Sequence, residues 1–149
     1  MRKGVFTGTF DPFTIGHEDI AKRALTLFDE LTIAVAVSRL KHTQQEIEER
    51  VATIAHLFAK EPRISVIAYS DLTIDMAHRI GANCLVRGVR SVRDFEYERE
   101  QADINRRLGG IETLLLFASP ELASISSTLV RELRFFGRDT SELVPTGIE

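Results

Sequence analysis

The chain has 149 residues, 44% of them hydrophobic and 28% charged, with a formal net charge of -3 and one cysteine. Those values suit a single globular domain spanning 1–149 and exclude an internal disulfide or a cysteine metal cluster. No apolar run approaches the roughly 18 residues of a membrane span, and no lysine or arginine block offers a general grip on nucleic acid. Met1-Arg2-Lys3-Gly4 leads straight into a strand-like run, without the apolar stretch of a secretory signal. The expectation is a cytoplasmic protein with neither a membrane nor a nucleic-acid partner.

In chain order, short apolar runs alternate with amphipathic stretches, the pattern of a parallel sheet flanked by helices. The first strand is predicted from Lys3 to Thr7, followed by a helix from about His17 whose Ile20, Ala24, Leu27 and Phe28 share a face. A second strand, Leu31 to Val37, precedes a helix from Gln44 to Lys60. There Ile47, Val51, Ile54, Ala55 and Phe58 form one stripe, and Thr43 with Glu46 forms a capping box. The third strand, Arg63 to Tyr69, is followed by a helix from Asp71 to Ile80 that closes on Gly81. A fourth, Asn83 to Val86, makes Cys84 a core residue, and a fifth runs from Glu112 to Ala118. A last helix carries Leu129, Leu133 and Phe136 on one side.

In an open parallel sheet, ligands bind outside the carboxyl ends of the strands, where strand order reverses. The segments at those ends hold the unusual polar residues. After the first strand comes Thr7-Gly8-Thr9-Phe10-Asp11-Pro12-Phe13-Thr14-Ile15-Gly16-His17, whose glycines let backbone approach a phosphate as a helix begins. Asp11-Pro12 also reads as a simple turn, and His17 alone as a polar residue near a cap. After the second strand, Ser38-Arg39-Leu40-Lys41-His42 is either solvated charge or, at this sheet edge, a loop in which Lys41 meets a substrate phosphate. After the fourth, Arg87 and Arg90 flank an apparent turn, Arg87-Gly88-Val89-Arg90. A guanidinium ending a buried strand needs a bound anion or a carboxylate, for which Asp94 and Glu98 are candidates. After the fifth, Ser126, Ser127 and Thr128 open a helix with no acid in its first turn, which serves as a cap, a polyphosphate site, or both.

Together, Gly8-Thr9-Phe10-Asp11-Pro12, Thr14-Ile15-Gly16-His17, Arg87-Gly88-Val89-Arg90, Asp94-Phe95-Glu96-Tyr97-Glu98 and Ile125-Ser126-Ser127-Thr128 resemble the bacterial phosphopantetheine adenylyltransferases, nearly end to end. The first motif marks the wider nucleotidyltransferase superfamily, and the arginine and Asp-Phe-Glu-Tyr-Glu segments narrow it. The resemblance implies a Rossmann-like domain, a homohexamer, Mg2+ dependence, and transfer of an adenylyl group from ATP to 4'-phosphopantetheine in coenzyme A synthesis. It implies that Thr9 and His17 stabilise the transferring phosphate, with Phe10 beside the nucleotide. Lys41 and Arg87 would bind the pantetheine phosphate, and Thr73 the pantetheine arm. Gly88, Val89, Arg90, Glu98, Leu122, Ala123, Ser124, Ile125, Ser126, Ser127 and Thr128 would form the ATP site, with His17, Thr9, Lys41 and Arg90 the catalytic set. The sequence departs from the family at Thr7 and Arg39, often proline, at Leu122, often aromatic, and at Thr128, often serine.

The chemistry so implied is direct in-line attack by an already ionised acceptor phosphate, so catalysis reduces to positioning and charge stabilisation. Two rival readings are a transferase for another acceptor, such as nicotinamide mononucleotide or glycerol phosphate, and a nucleotide-sensing module without turnover.

Overall fold

The computed structural model describes residues 1–38 and 40–148, so Arg39 of the basic loop and Glu149 lie outside the described residues. Strands β1 (Lys3–Gly8), β2 (Glu30–Ala36), β3 (Ile64–Tyr69), β4 (Cys84–Val89) and β5 (Glu112–Phe117) alternate with helices α1 (Ile15–Leu25), α2 (Gln44–Leu57), α3 (Thr73–Arg79) and α4 (Val92–Gly109). A 3-10 turn at Pro120–Leu122 leads to α5 (Ser127–Phe135). The strands form one all-parallel sheet in the order β3-β2-β1-β4-β5. This is the predicted Rossmann-like α/β architecture. Strand order reverses between β1 and β4, which makes their carboxyl ends the switch point.

Period-two alternation sorts the core into two layers. Phe6, Leu31, Ile33, Val35 and Val86 pack with Ile20, Ala24 and Leu25 of α1 and Ile54 of α2. Val5, Ala34 and Leu85 pack with Met76 and Ala77 of α3 on the opposite face. Because β1 and β2 are buried on both faces, their sequences are almost continuously apolar.

Most predicted ends shift by a residue or two, but β4 differs more. It runs three residues past Val86, and Arg87, Gly88 and Val89 pair with Leu115, Leu116 and Phe117 of β5. The expected turn is therefore strand, because ladder bonding to β5 outweighs the turn propensity of one glycine. Gly88 also permits a close approach: a Cβ there would sit 3.2 Å from Ile20 Cγ1 of α1.

The capping box at α2 is present, with Thr43 Oγ1 accepting from the Glu46 N–H at 3.1 Å and the Glu46 carboxylate accepting from the Thr43 N–H. That helix stops at Leu57, short of the expected Lys60, and Ala55 stays exposed while Ile47, Ile54 and Phe58 are buried. Gly81 follows α3 in the left-handed region, φ 71°. Two expected facial residues point elsewhere. Leu27 lies beyond the end of α1 and is 45% exposed, and Phe136 lies beyond the last turn of α5 and is 71% exposed, so Val130 fills the buried position there. Cys84 is half-buried rather than fully in the core. Among the described residues, no helix is long and apolar enough to cross a membrane.

Candidate active site

The site begins where the sheet stops pairing. The β1–β4 ladder ends at Phe6 and Val86, yet β1 continues to Gly8 and β4 to Val89, so the two strands part at their carboxyl ends. Arg87 sits in the parting. Its Nη1 donates to the Thr7 carbonyl at 2.6 Å and to Thr7 Oγ1 at 3.2 Å, one residue past the last β1–β4 pair. Its Nε donates to both oxygens of Glu98, at 2.7 and 3.1 Å. Glu98 lies in α4 and is only 5% exposed. Burial of Arg87 disfavours its charge, but the hydrogen bond and charge of Glu98 outweigh that effect and raise the guanidinium's pKa. The carboxylate anticipated for Arg87 is thus Glu98, and Nη2 is not used by any of these bonds.

Asp94 does the same for Arg90, at longer range. Its Oδ2 accepts from the Arg90 backbone N–H at 3.1 Å and lies 3.4 Å from Arg90 Nε. Ser91 caps α4 by accepting from the Asp94 N–H at 3.2 Å.

The Thr14-x-Gly16-His17 pattern is a capping box with an imidazole in place of the usual carboxylate. Thr14 Oγ1 accepts from the His17 N–H at 3.3 Å, and His17 Nδ1 accepts from the Thr14 N–H at 2.9 Å. A backbone N–H can only donate, so Nδ1 carries no proton and a neutral ring holds its hydrogen on Nε2. The ring packs against Phe6, Phe10 and Phe13, with centroids 6.2, 5.0 and 5.4 Å away. Burial, helped by the charges of Arg87 and Arg90, lowers its pKa to about 4. At neutral pH His17 is therefore an uncharged donor with one available tautomer.

These groups border one cavity of about 380 Å3. Of the residues singled out from sequence, Thr9, Phe10, His17, Arg87, Gly88, Val89, Arg90, Glu98, Leu122, Ile125, Ser126, Ser127 and Thr128 line it. Phe10 borders it with its ring withdrawn: the residue is 2% exposed and packs edge-on to Phe6 and His17. Ser126 is the α5 cap, accepting from the Leu129 N–H at 3.0 Å, and Ser127 Oγ donates to the Pro12 carbonyl at 2.7 Å. Ala123 and Ser124 lie outside the lining, as does Lys41, whose exposed side chain belongs to the β2–α2 loop.

A second cavity of about 280 Å3 shares Thr7, Gly8, Thr9, Arg87, Tyr97 and Glu98 with the first and extends to Thr73. Thr73 Oγ1 lies 3.0 Å from the Tyr69 hydroxyl. Arg87 and Glu98 thus form the wall between two adjoining spaces.

Sequence reasoning passed over Tyr97, which lines both spaces, and Arg131, which lines the larger. Arg131 Nη1 donates to the Asp11 carbonyl at 2.6 Å and Nη2 to Thr128 Oγ1 at 3.2 Å. Its signal was its place one turn after the hydroxyl cluster, on the same helix face.

The larger space therefore offers guanidinium, imidazole and hydroxyl donors beside the start of α5, whose first turn has no acid. Its two carboxylates, Asp94 and Glu98, are both committed to arginines. Such a lining suits a polyanion. Among the described residues there is no group of three or more His, Cys, Asp or Glu able to hold a metal ion.

Residues 5–133 match the cytidylyltransferase-like family. The chain is 52% identical to a phosphopantetheine adenylyltransferase of Bacteroides thetaiotaomicron, covering 100% of this chain and 99% of the relative. It is 54% identical, with the same coverage, to the enzyme of that name in Phocaeicola vulgatus. A third, from Porphyromonas gingivalis, is 50% identical over 99% of this chain and 97% of its own length. With a match that spans the parted strands, the histidine cap and the hydroxyl cluster alike, the chain belongs to the phosphopantetheine adenylyltransferase family of nucleotidyltransferase enzymes.

Proposed function

We propose that this chain transfers the adenylyl group of ATP to the phosphate of 4'-phosphopantetheine, giving dephospho-coenzyme A and pyrophosphate. The observation that carries the reading is a half-buried, neutral His17 that lines one cavity together with Arg87 and Arg90. ATP occupies the larger space, with its polyphosphate toward α5 and Arg90. The pantetheine arm takes the adjoining space by Thr73, and its phosphate meets Nη2 of Arg87 at the wall between them. One acceptor oxygen attacks the α-phosphorus, the bond to the bridging oxygen breaks, and pyrophosphate leaves with that electron pair.

The attacking phosphate is already ionised near neutral pH, so no side chain need act as nucleophile or base. His17 and Thr9 donate to the oxygens of the five-coordinate centre, where fixed donors act with little reorganisation. Lys41, on a flexible stem, swings in to hold the acceptor phosphate. Glu98, spoken for by Arg87, holds that guanidinium at the wall instead of accepting from the nucleotide. Mg2+ bound to ATP would supply charge neutralisation of the triphosphate, and it would be held by phosphate oxygens and water, because Asp94 and Glu98 are paired with arginines.

The enzyme works in the cytoplasm as a homohexamer. Exposed apolar residues on α4, Ile104 and Leu108 among them, support self-association, and light scattering should give six times the chain mass.

The deciding experiment incubates purified protein with ATP, Mg2+ and 4'-phosphopantetheine and follows dephospho-coenzyme A by mass and pyrophosphate by a coupled assay. Nicotinamide mononucleotide and glycerol phosphate serve as competing acceptors. Turnover on either of these in preference to 4'-phosphopantetheine, or ATP binding with no product at all, would overturn the proposal.

A further inference from the structure

The loop after β1 holds its backbone out of the common regions at Phe10. Phe10 has φ 49°, in the left-handed region, the sole non-glycine residue with positive φ among those described. A bulky residue is strained there and persists only where surrounding contacts over-determine the backbone. Thr9 itself is exposed on the cavity rim, so its own side chain gains little from packing.

The restraint comes from behind. Arg50 of α2 donates through Nη1 to the Thr9 carbonyl at 3.1 Å, and its Nη2 lies 3.2 Å from Asp11 Oδ1. One planar guanidinium therefore spans the residues on either side of Phe10. Asp11 Oδ2 is also 3.7 Å from His42 Nε2, while the Asp11 and Pro12 carbonyls accept from Arg131 and Ser127 of α5. Arg50 is 13% exposed and borders neither of the two spaces assigned to substrates. It lines a different cavity of about 420 Å3, behind the loop, together with Asp11, Pro12 and His42.

We propose that Arg50 is a positioning residue for adenylyl transfer: from outside the substrate spaces, it sets the backbone of Thr9 and thereby where the Thr9 hydroxyl stands against the transferring phosphate. A lysine cannot replace it fully, because a single ammonium on a longer-range contact does not bridge two acceptors in one plane. The inference rests on the adenylyl-transfer reading above, and wild-type turnover in the same assay separates the two: an inactive wild-type chain sinks that reading, whereas an active one leaves this inference to be judged on its variants.

The test is Arg50→Ala in the full-length chain, with kcat, the KM for ATP and the melting temperature measured with and without guanidinium ion at concentrations far below those that unfold proteins. The cavity behind the loop gives the small ion access to the vacated position. A misplacement near 1 Å can cost about 100-fold, so kcat should fall roughly 10- to 100-fold with little change in the KM for ATP, and added guanidinium should restore a substantial part of it. A merely structural arginine would lower the melting temperature and show no such recovery. Unchanged kcat in the folded variant overturns the proposal, as does a loss that guanidinium leaves in place. Should Arg50→Ala fail to fold, Arg50→Lys carries the test: kcat should drop while the KM for ATP holds, and wild-type kcat overturns the proposal.

Discussion

The β1–α1 and β2–α2 junctions stand at the same edge of the sheet and solve opposite problems. At the first, the backbone is tied down before any ligand arrives: Thr9, Asp11 and Pro12 are bonded to α2 and α5, and the His17 ring is locked by the Thr14 N–H. At the second, the Lys41 amide bonds only locally, to the Ser38 carbonyl, and its side chain is exposed outside both cavities. Groups that meet developing charge gain from being fixed, because no free energy is then spent on reorganising them during reaction. A group that captures an incoming phosphate gains from reach.

That contrast can be broken most directly at His17. His17→Ala should lower kcat by roughly 100- to 1,000-fold, with a smaller change in the KM for ATP, as is usual for loss of one fixed donor. Steady-state kinetics at saturating substrates reads the split, and unchanged turnover would remove His17 from the mechanism.

Glu98→Gln tests the fixed side through stability. Removing one partner of a buried pair typically costs 3–5 kcal/mol, and the partial exposure of Arg87 reduces this to about 2 kcal/mol. Chemical denaturation should show that loss, along with a raised KM for 4'-phosphopantetheine as Arg87 leaves the wall. A variant with wild-type midpoint and KM would return Glu98 to direct contact with the nucleotide.

Lys41→Ala should act more mildly and on the other parameter. The loss of one charged hydrogen bond from a mobile stem predicts about a tenfold rise in the KM for 4'-phosphopantetheine and less change in kcat. If kcat instead falls as far as in His17→Ala, the two junctions do not differ in the way described.

The gentlest test is a slope with pH. The His17 pKa is lowered from 6.5 to about 4 in the folded chain, so between those values the unfolded chain binds the proton more readily. The stability attached to the neutral ring is complete above pH 6.5 and is lost as pH falls toward 4. Melting curves across that window should decline less steeply in His17→Gln than in the wild type, and parallel curves would refute the assignment of a neutral ring. A bound triphosphate should raise this pKa, which histidine NMR resonances with and without ATP can follow.

Much of the framework was legible in the residues. The apolar runs marked the central strands most clearly because such strands are buried on both faces, as Leu31, Ile33, Ala34 and Val35 are. Arg87-Gly88-Val89 misled because a glycine between arginines looks like a turn until a neighbouring strand claims its amides. Phe136 misled because a helical stripe extends by arithmetic past the place where the helix ends. At the site, topology put Thr9, His17, Lys41, Arg87 and Ser127 at one rim, and of these Lys41 stands outside both cavities. Topology did not reveal Arg50. Its guanidinium reaches a residue 41 positions away, and in sequence it is one charge among many on a solvated helix. Tyr97 was likewise hidden, since only the packing of α4 against the parted strands brings it to the lining of both cavities.

The point at which β1 and β4 stop pairing carries a consequence for redesign. One side of the larger cavity is set by a missing rung in a ladder, two residues before the end of β1. Engineering this scaffold to accept bulkier acceptors should therefore begin with Thr7 and Arg87, which prop that gap.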